Sequence, residues 1–244
     1  YHWILAYLII YTSQLELINN KKMSVKINYS KKTVSKSSAN IVLFSNDKFD
    51  VTNLKKNLSS SEFSYIKDLL KTSDLKKNLL VFEINSKKKI ILISTKNNLK
   101  ISEIENLGAE FFRSINFGKN CEYLIYSDSI LEKNKNFLAY FLHGIKLKSY
   151  VFNKYKTKKE TRQISIHIQG SKNIPSTLDQ LRFKALEEGI FYTRDLVSEP
   201  GNVLHPDEYA KRLITLKKDG LKVNVYDDKK LKKLGMHSLL GVGM

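Results

Sequence analysis

Short apolar runs alternate with amphipathic segments along most of the chain from Val25 onward. Runs rich in Ile, Leu, Val and Tyr predict β-strands, at Asn40–Phe44, Leu79–Ile84, Lys89–Ser94, Glu122–Tyr126 and Gln163–Ile168. Apolar residues at helical spacing predict helices between them, near Ser61–Lys71, Ser102–Phe117 and Glu132–Ser149. This alternation of strands and helices is typical of an α/β domain with a largely buried sheet.

The helix predicted over residues 102–117 carries a clear core signal. Four large apolar residues recur in it at helical spacing: Ile104, Leu107, Phe111 and Ile115. Residues three and four apart lie on one face of a helix, so we expect this face to be buried. Ser102 followed by Glu105 predicts a capping box, in which the two side chains satisfy free backbone amides at the helix start.

A second organisation begins after the GSKNIPST segment, where a glycine and a proline interrupt the pattern. A long helix is predicted from about Leu178 to Val197, with Thr177 and Gln180 forming a capping box at its start. Its packed side is predicted to carry four apolar residues: Leu181, Ala185, Ile190 and Leu196. The proline and glycine of the following SEPGN segment favour a turn.

The chain then begins a new α/β unit. Pro206 predicts the first turn of a helix, because a proline there loses no backbone hydrogen bond, and Gly220 predicts its end. The LKVNVYD segment predicts a strand over residues 221–227, followed by a short helix that Asp228 caps and that stops at Gly235. One strand cannot complete a sheet, so we expect this unit to be cut short.

Charge narrows the classes of partner. The 244 residues include 42 Lys and Arg against 24 Asp and Glu, which gives a formal net charge of +18. Such a field attracts polyanions, acidic membranes and acidic substrates. Five of the basic residues are arginine, however, and lysine lacks the bidentate grip of arginine on phosphates and guanine edges. A solvated, lysine-coated surface is therefore favoured over a dedicated polyanion site.

Two basic runs keep nucleic-acid binding open as an alternative. Residues 21–36 hold six lysines and no acidic residue, and residues 153–162 place four lysines and Arg162 around Tyr155. Basic residues with an interleaved aromatic can hold phosphates and stack on a base. A solvated loop between a helix and a strand explains the same composition, and this interpretation is favoured.

Cysteine and histidine usage argues against several kinds of site. Cys121 is the single cysteine, which excludes an internal disulfide and a zinc site built on cysteines. The five histidines never share ligand spacing on one helix face, and His167 is expected to point outward from its strand, opposite three isoleucines. This usage fits a reducing cytoplasm, so a cytoplasmic location is predicted.

The first residues need separate treatment. The run YHWILAYLIIY is apolar but too short to span a bilayer, and it has neither a basic segment before it nor a cleavage site after it. Met23 then begins MSVKINYSKK, which is typical of an ordinary cytoplasmic start. We therefore interpret residues 1–22 as an upstream or non-native extension, unstructured or helical, and expect no membrane partner. A membrane anchor is the less favoured alternative.

The search for motifs finds no active site along the chain. Asp195 and Glu199 are four residues apart and could in principle meet a divalent cation, but a solvated or salt-bridged pair is favoured. Helix capping explains Asp227–Asp228, and an exposed helix face explains Glu187–Glu188. The sequence therefore assigns no catalytic, metal-binding or cofactor-binding residue.

Three segments, in order, resemble the leucyl aminopeptidase (cytosol aminopeptidase) family. The pattern ARDLVN-x-P-x-N-x-L-x-P-x-x-x-A is matched by Arg194, Asp195, Leu196, Val197, Pro200, Asn202, Leu204, Pro206 and Ala210. The pattern G-x-x-L-x-x-Y-x-F-x-x-Y-K is matched by Gly144, Leu147, Tyr150, Phe152, Tyr155 and Lys156. LKVNVYDDKKLKKLGMHSLLGVGM resembles a third family stretch. The likeness is specific over residues 144–244 and architectural before them; Ser198 and His205 depart from the usual Asn and Thr.

The resemblance implies a fold and an activity. It implies an N-terminal α/β domain like a macro domain over residues 23–170, a linker helix over 171–198 and the beginning of a peptidase domain over 199–244. It also implies a homo-hexamer of two trimers, and an exopeptidase that releases N-terminal residues, preferentially leucine, with two divalent metal ions, manganese or zinc. The family's metal ligands follow the GVG stretch, so residues 1–244 are expected to be inactive alone.

Two other functions are weighed against peptidase activity. Some members of the family also bind DNA, so a nucleic-acid-binding module in the N-terminal domain stays the alternative. Nucleotide or ADP-ribose binding by the macro-like domain is a third hypothesis, which no glycine-rich loop supports.

Overall fold

The computed structural model describes residues 25–29, 39–96, 98–115, 121–131, 134–157 and 163–242. They divide into two compact units, one up to Glu188 and one from Gly189. The strands are β1 (Val25–Asn28), β2 (Asn40–Ser45), β3 (Leu79–Asn85), β4 (Lys88–Ser94), β5 (Glu122–Tyr126) and β6 (Ile164–Gln169). The α-helices are α1 (Ser60–Leu69), α2 (Ile101–Ser114), α3 (Phe137–Lys148), α4 (Thr177–Ser198), α5 (Pro206–Ile214), α6 (Asp228–Lys233) and α7 (His237–Val242).

The first unit is built on one six-stranded sheet in the order β1-β6-β5-β2-β4-β3. All neighbouring strands run parallel except β3 and β4, which form an antiparallel hairpin. The sheet is mixed but mostly parallel, and its central strands are apolar on both sides, as strands covered on both faces are. The predicted α/β class is thereby confirmed.

The five predicted strands are all present, and β1 is an addition to them. Its four residues, VKIN, alternate apolar and polar positions over too short a span to give a strand signal. The strand β1 forms because it pairs with β6, and Val25 lies opposite Ile164 in this parallel ladder. The whole of the extension predicted over residues 1–22, and most of the basic run at 21–36, lies outside the described residues.

Two hydrophobic clusters cover the two faces of the sheet. Alternation within β4 shows the division: Ile91 and Ile93 belong to one cluster, and Ile90 and Leu92 belong to the other. Helices α2 and α3 cover the first face; α1 and a 3₁₀ turn at Thr52–Asn57 cover the second. The residues expected to be buried in α2 are all in the first cluster: Ile104, Leu107, Phe111 and Ile115.

Two glycines allow α2 and α3 to cross closely. A Cβ atom on Gly108 would lie 2.0 Å from the carbonyl oxygen of Phe141, and one on Gly144 would lie 2.0 Å from that of Glu105. Carbon and oxygen cannot approach to that distance, so any side chain at either position would push the helices apart. This crossing fixes α3, whose outer side carries the polar residues considered below.

Both predicted capping boxes are wrong by one or two residues. Helix α2 begins at Ile101, and Glu103 accepts a hydrogen bond from the backbone amide of Lys100 at 2.7 Å. Helix α4 begins at Thr177, and the hydroxyl of Ser176 accepts a hydrogen bond from the amide of Asp179 at 3.1 Å. Several neighbouring residues at each helix start could act as the N-cap. The sequence alone does not determine which of them precedes the first helical residue.

The second unit consists of helices and turns. The strand predicted over residues 221–227 is wrong: these residues belong to no ladder among the described residues. Asp227, rather than Asp228, caps α6, since its carboxylate accepts a hydrogen bond from the amide of Lys230 at 2.8 Å. Gly220 and Gly235 adopt φ angles of 83° and 73°, a left-handed conformation that favours glycine. The stop at Gly235 is confirmed, whereas α5 ends at Ile214 and a 3₁₀ turn at Thr215–Asp219 continues to Gly220.

Candidate functional site

The first unit contains a cavity of about 470 Å³ between β1, α3 and the first half of α4. Its wall combines apolar side chains with charged and polar ones. The apolar members are Val25, Ile27, Ala139, Leu142, Pro175, Leu181 and Phe183. The charged or polar members are Lys26, Tyr29, His143, Lys146, Gln163, Thr177, Gln180, Lys184 and Glu187. Cavities of this size and mixed lining are typical of small-molecule sites.

A histidine and a glutamate meet at the cavity wall. Nδ1 of His143 lies 3.3 Å from Oε1 of Glu187, and the two side chains are 5% and 8% exposed. The ring of Phe183, one turn before Glu187 on α4, lies 5.1 Å from the imidazole and 5.2 Å from the ring of Tyr140. These contacts dock the start of α4 against α3.

The prediction that Glu187 lies on an exposed helix face is wrong. Helix α4 packs through Phe183 and Glu187, whereas Leu181 is 59% exposed although it was expected on the packed side. The i to i+4 spacing of an aromatic and an acid was the available signal. It was missed because the helix carries apolar residues on several sides, so that hydropathy alone does not select the packed stripe.

A lysine and a tyrosine complete the polar part of the wall. The ammonium group of Lys146 is buried and donates a hydrogen bond to the backbone carbonyl of Val25. Burial lowers the pKa of Lys146, the Glu187 carboxylate raises it in part, and the charge of Lys184 lowers it. Burial raises the pKa of the Tyr29 hydroxyl far above its usual range, and the Glu187 charge adds to this effect. Tyr29 is therefore a neutral hydrogen-bonding group at ordinary pH.

A smaller cavity of about 310 Å³ lies near the carboxyl ends of β2 and β5. The two carboxylates that line it, Asp50 and Asp128, accept hydrogen bonds from nearby residues. Asp128 accepts hydrogen bonds from the backbone amides of Ser171 and Lys172 at 2.8 and 2.7 Å, and Asp50 accepts two from Thr52. Partial burial raises the pKa of Asp128, but the two amides and nearby lysine charges outweigh it and lower the pKa. These acids are positioned as structural groups.

The acidic pair singled out in the sequence does not form a cation site. Oε1 of Glu199 lies 3.0 Å from Nη1 of Arg212, whose Nε donates to Glu208 at 3.0 Å, and the Glu199 side chain is 2% exposed. The salt-bridged interpretation is confirmed for Glu199. This ion pair lies within the second unit and ties the turn after α4 to α5.

Two other residues from the sequence analysis are placed by the structure. The three isoleucines of β6 face one cluster and His167 faces away from it, as predicted. Its Nε2 atom is buried and has no hydrogen-bond partner among the described residues. Tyr155 is exposed, with the Phe152 ring at 5.8 Å and Nζ of Lys154 at 5.4 Å from its ring centre.

The donor set does not fit the two-metal centre that the family resemblance implies. Within the described residues there is no group of three or more His, Cys, Asp or Glu side chains that could hold a metal ion. The Glu199 carboxylate is already engaged by a guanidinium group. No step of metal chemistry is therefore assigned to these residues. In the same part of the chain, no helix is long and apolar enough to cross a membrane.

Part of the chain is similar to known aminopeptidases. Residues 191–244 match the model of the cytosol aminopeptidase family, catalytic domain. The probable cytosol aminopeptidase of Bradyrhizobium sp. is 40% identical over 104 residues, which is 41% of this chain and 21% of the relative. That of Dinoroseobacter shibae is 34% identical over 154 residues, 63% of this chain and 30% of the relative. These matches support a relationship to the leucyl aminopeptidase (cytosol aminopeptidase) family.

Solved structures of aminopeptidases share the fold. A mutant of tomato leucine aminopeptidase superimposes with a TM-score of 0.66 at 16% identity, covering 88% of this chain and 46% of that one. The cytosol aminopeptidase from Coxiella burnetii gives 0.60 at 13% identity, covering 86% and 41%. The chain thus spans less than half the length of these relatives. The likeness to a macro domain and the domain limits at residues 170 and 198 stay predictions.

Proposed function

We propose that this chain forms the N-terminal α/β unit and the opening of the catalytic domain of an aminopeptidase that removes N-terminal residues, preferentially leucine, from peptides. The observation that supports it most strongly is the match of residues 191–244 to the family's catalytic domain. Identity of about 40% to probable cytosol aminopeptidases over 104 residues supports it independently of the fold. The substrate is then a peptide with a free amino terminus.

The proposed enzyme uses two divalent metal ions, manganese or zinc, held by residues outside 1–244. When bound, such ions would activate a water molecule and polarise the carbonyl group of the substrate. Three acids of the described residues are engaged in a cap, an ion pair and a loop contact, which is compatible with this division: Asp227, Glu199 and Asp128. Residues 1–244 alone are accordingly proposed to be inactive.

The test is a peptidase assay on residues 1–244. The purified chain is incubated with a leucyl anilide and with Leu-Gly, with Mn²⁺, with Zn²⁺ or with a chelator. We expect no metal-dependent release of leucine. The matched control joins residues 1–190 to the catalytic domain of the probable cytosol aminopeptidase of Bradyrhizobium sp., and this chimaera is expected to be active. Metal-dependent release of leucine by residues 1–244 themselves would contradict the proposal that the metal-binding residues lie outside this segment.

The coding sequence offers a second test. In the proposed enzyme, the reading frame past Met244 continues with segments like GKG-x-x-F-D-x-G-G and N-T-D-A-E-G-R, which carry the metal-binding lysine and acids. Their presence supports the proposal, and a stop codon with no such segment nearby contradicts it for this product. The longer product is further proposed to be a cytoplasmic homo-hexamer of two trimers, which sedimentation equilibrium would measure directly.

Nucleic-acid binding is the second candidate. It is supported by an exposed tyrosine, Tyr155, that lies beside an aromatic ring and under a lysine ammonium group, on a chain of net charge +18. Stacking plus phosphate contact requires this combination. Binding to DNA should fall steeply with salt and weaken in Tyr155→Ala. Equal retention on heparin and no effect of Tyr155→Ala would reduce it to nonspecific charge attraction.

A further inference from the structure

The 470 Å³ cavity is lined by residues of the first unit alone. Every residue in its wall lies between Val25 and Glu187, whereas the match to the catalytic domain begins at residue 191. Three ionisable side chains in the wall of this cavity are buried, which is unfavourable for the stability of the fold unless it is compensated. Glu187, His143 and Lys146 are each more than nine-tenths buried, and burial of charged groups is unfavourable unless other contacts compensate for it.

The charges in the wall define what it could bind. Among the described residues that line the cavity, Glu187 is the single carboxylate, and its contact to His143 is long, at 3.3 Å. Three lysines line the same cavity: Lys26, Lys146 and Lys184. A simple anion would be repelled by Glu187, and a simple amine would be repelled by the lysines. A ligand that carries one charge of each sign satisfies both.

The rest of the wall is apolar. Ile27, Leu142 and Phe183 line the cavity together with Val25 and Ala139. These side chains would receive an aliphatic or aromatic group and remove it from water, which stabilises the complex in proportion to the area buried. The neutral hydroxyl of Tyr29 and the amide of Gln180 add hydrogen-bonding groups that could orient the ligand.

We propose that this cavity binds a zwitterionic amino acid or dipeptide with apolar side chains, its ammonium group at Glu187 and its carboxylate at the lysines. The ligand class is that of the products and small substrates of an aminopeptidase, and the lining residues all precede the segment that matches the catalytic domain. The proposal does not require peptidase activity, and it predicts binding in the absence of metal.

Binding is measured by isothermal titration calorimetry on residues 1–244 in the presence of a chelator. The probes are L-leucine and Leu-Leu, which separate the amino acid from the dipeptide. N-acetyl-leucine, which lacks the ammonium group, and leucine amide, which lacks the carboxylate, are the comparison ligands. We expect at least one zwitterion to bind at least tenfold more tightly than either blocked form. If neither zwitterion binds, or if N-acetyl-leucine binds equally well, the proposal is wrong.

Variants test the position of the ligand. Glu187→Gln keeps the shape of the side chain and is expected to weaken zwitterion binding at least tenfold. Glu188→Gln is the matched control, because Glu188 is not among the cavity-lining residues, and it should bind as the parent does. Ala139→Leu fills the cavity without touching a charge and should also abolish binding. Circular dichroism checks that each variant is folded.

The outcomes separate this proposal from the peptidase proposal. Unchanged binding in both Glu187→Gln and Ala139→Leu would place any bound zwitterion elsewhere and overturn the proposal. Failure of the chimaeric enzyme to release leucine, with binding intact in residues 1–244, would count against the peptidase function alone. Binding lost in Glu187→Gln and in Ala139→Leu, but retained in Glu188→Gln, would support the cavity site.

Discussion

The two units of the chain contain similar helices but differ in what those helices bury. In the first unit, α2 and α3 enclose a continuous cluster of apolar side chains against the sheet. In the second, Leu196 is the one buried apolar residue among those described from Gly189 to Val242. Large apolar side chains there face solvent: Val197, Tyr209, Ile214, Leu221, Val225, Tyr226, Leu234, Met236, Leu239 and Val242.

This difference shows what a hydrophobic pattern does and does not determine. The pattern and the caps suffice to form α5 and α6, because those features act within one helix. Burial requires a second surface, and the sheet provides one for the first unit. We therefore expect stability to be concentrated in residues 25–188 and to be low in residues 189–242.

Removal of a core aromatic should give the largest contrast. Phe141 is fully buried, and its ring lies 5.3 Å from that of Phe44 and 5.7 Å from that of Phe111. Phe141→Ala should lower the free energy of unfolding by about 3–5 kcal/mol, since it removes these contacts and leaves a cavity. In the second unit, Leu239→Ala should change it by less than about 0.5 kcal/mol, because Leu239 is 54% exposed. Urea unfolding followed by circular dichroism measures both; equal losses would contradict the contrast.

Replacing Gly144 and Gly189 by alanine should change the stability of the chain in opposite directions. Gly144→Ala should destabilise the chain by about 1–3 kcal/mol or more, because the new Cβ would meet the carbonyl oxygen of Glu105. Gly189 lies in α4, and a Cβ atom at this position would have no heavy atom within 4 Å. Gly189→Ala should stabilise the helix by up to about 1 kcal/mol through its higher helix propensity. Thermal melts of the two variants would show the opposite shifts; shifts of the same sign would sink the idea of a tight α2–α3 crossing.

Within the second unit, polar contacts take the place of a core. Arg212 joins Glu199 and Glu208, and its backbone carbonyl accepts a hydrogen bond from the Tyr192 hydroxyl at 3.0 Å. Arg212→Met should speed cleavage of residues 199–219 by subtilisin without altering the unfolding of the first unit. Lys211→Met, an exposed neighbour in the same helix, is the control. If the two variants were cleaved at the same rate, the ion pairs would not organise this unit.

The smallest expected effect concerns an ion pair of the first unit. Oε1 of Glu62 lies 2.6 Å from Nζ of Lys88. Burial alone would raise the pKa of Glu62, but the hydrogen bonds from Lys88 and from Ser59 outweigh it and lower the pKa below its usual 4.5. A carboxyl group with a lowered folded-state pKa stabilises the fold above pH 4.5, and this contribution is lost as the pH falls through the folded-state value.

Glu62→Gln should therefore cost at most about 1 kcal/mol at pH 7, and the difference from the parent should shrink below pH 4.5. Glu83→Gln is the matched variant, since the Glu83–Lys89 pair is largely exposed, and it should change stability less. Urea midpoints at several pH values provide the measurement. A difference between Glu62→Gln and the parent that does not vary with pH would contradict the assignment.

The positions of the strands could be predicted from the sequence more accurately than the pairing of the strands or the packing of the helices. The strands β2 to β6 follow from apolar runs, whereas β1 depends on pairing with β6 that no local pattern encodes. The extended segment at 221–227 has a strand-like pattern but no neighbouring strand in the described part of the chain. Glu187 was misplaced for a related reason: the side of a helix that packs depends on the surface it meets. The resemblance to the aminopeptidase family rests on motif spacing, which does not depend on packing.

Hydrogen exchange on residues 1–244, resolved by peptide and followed by mass spectrometry, tests the central contrast most directly. Amides of β2, β4 and β5 should exchange through global unfolding, with opening free energies of about 5 kcal/mol or more. Amides of α5, α6 and α7 should open at less than about 2 kcal/mol. Equal protection of the two units would contradict the account, because it would mean that residues 189–242 have a buried core of their own.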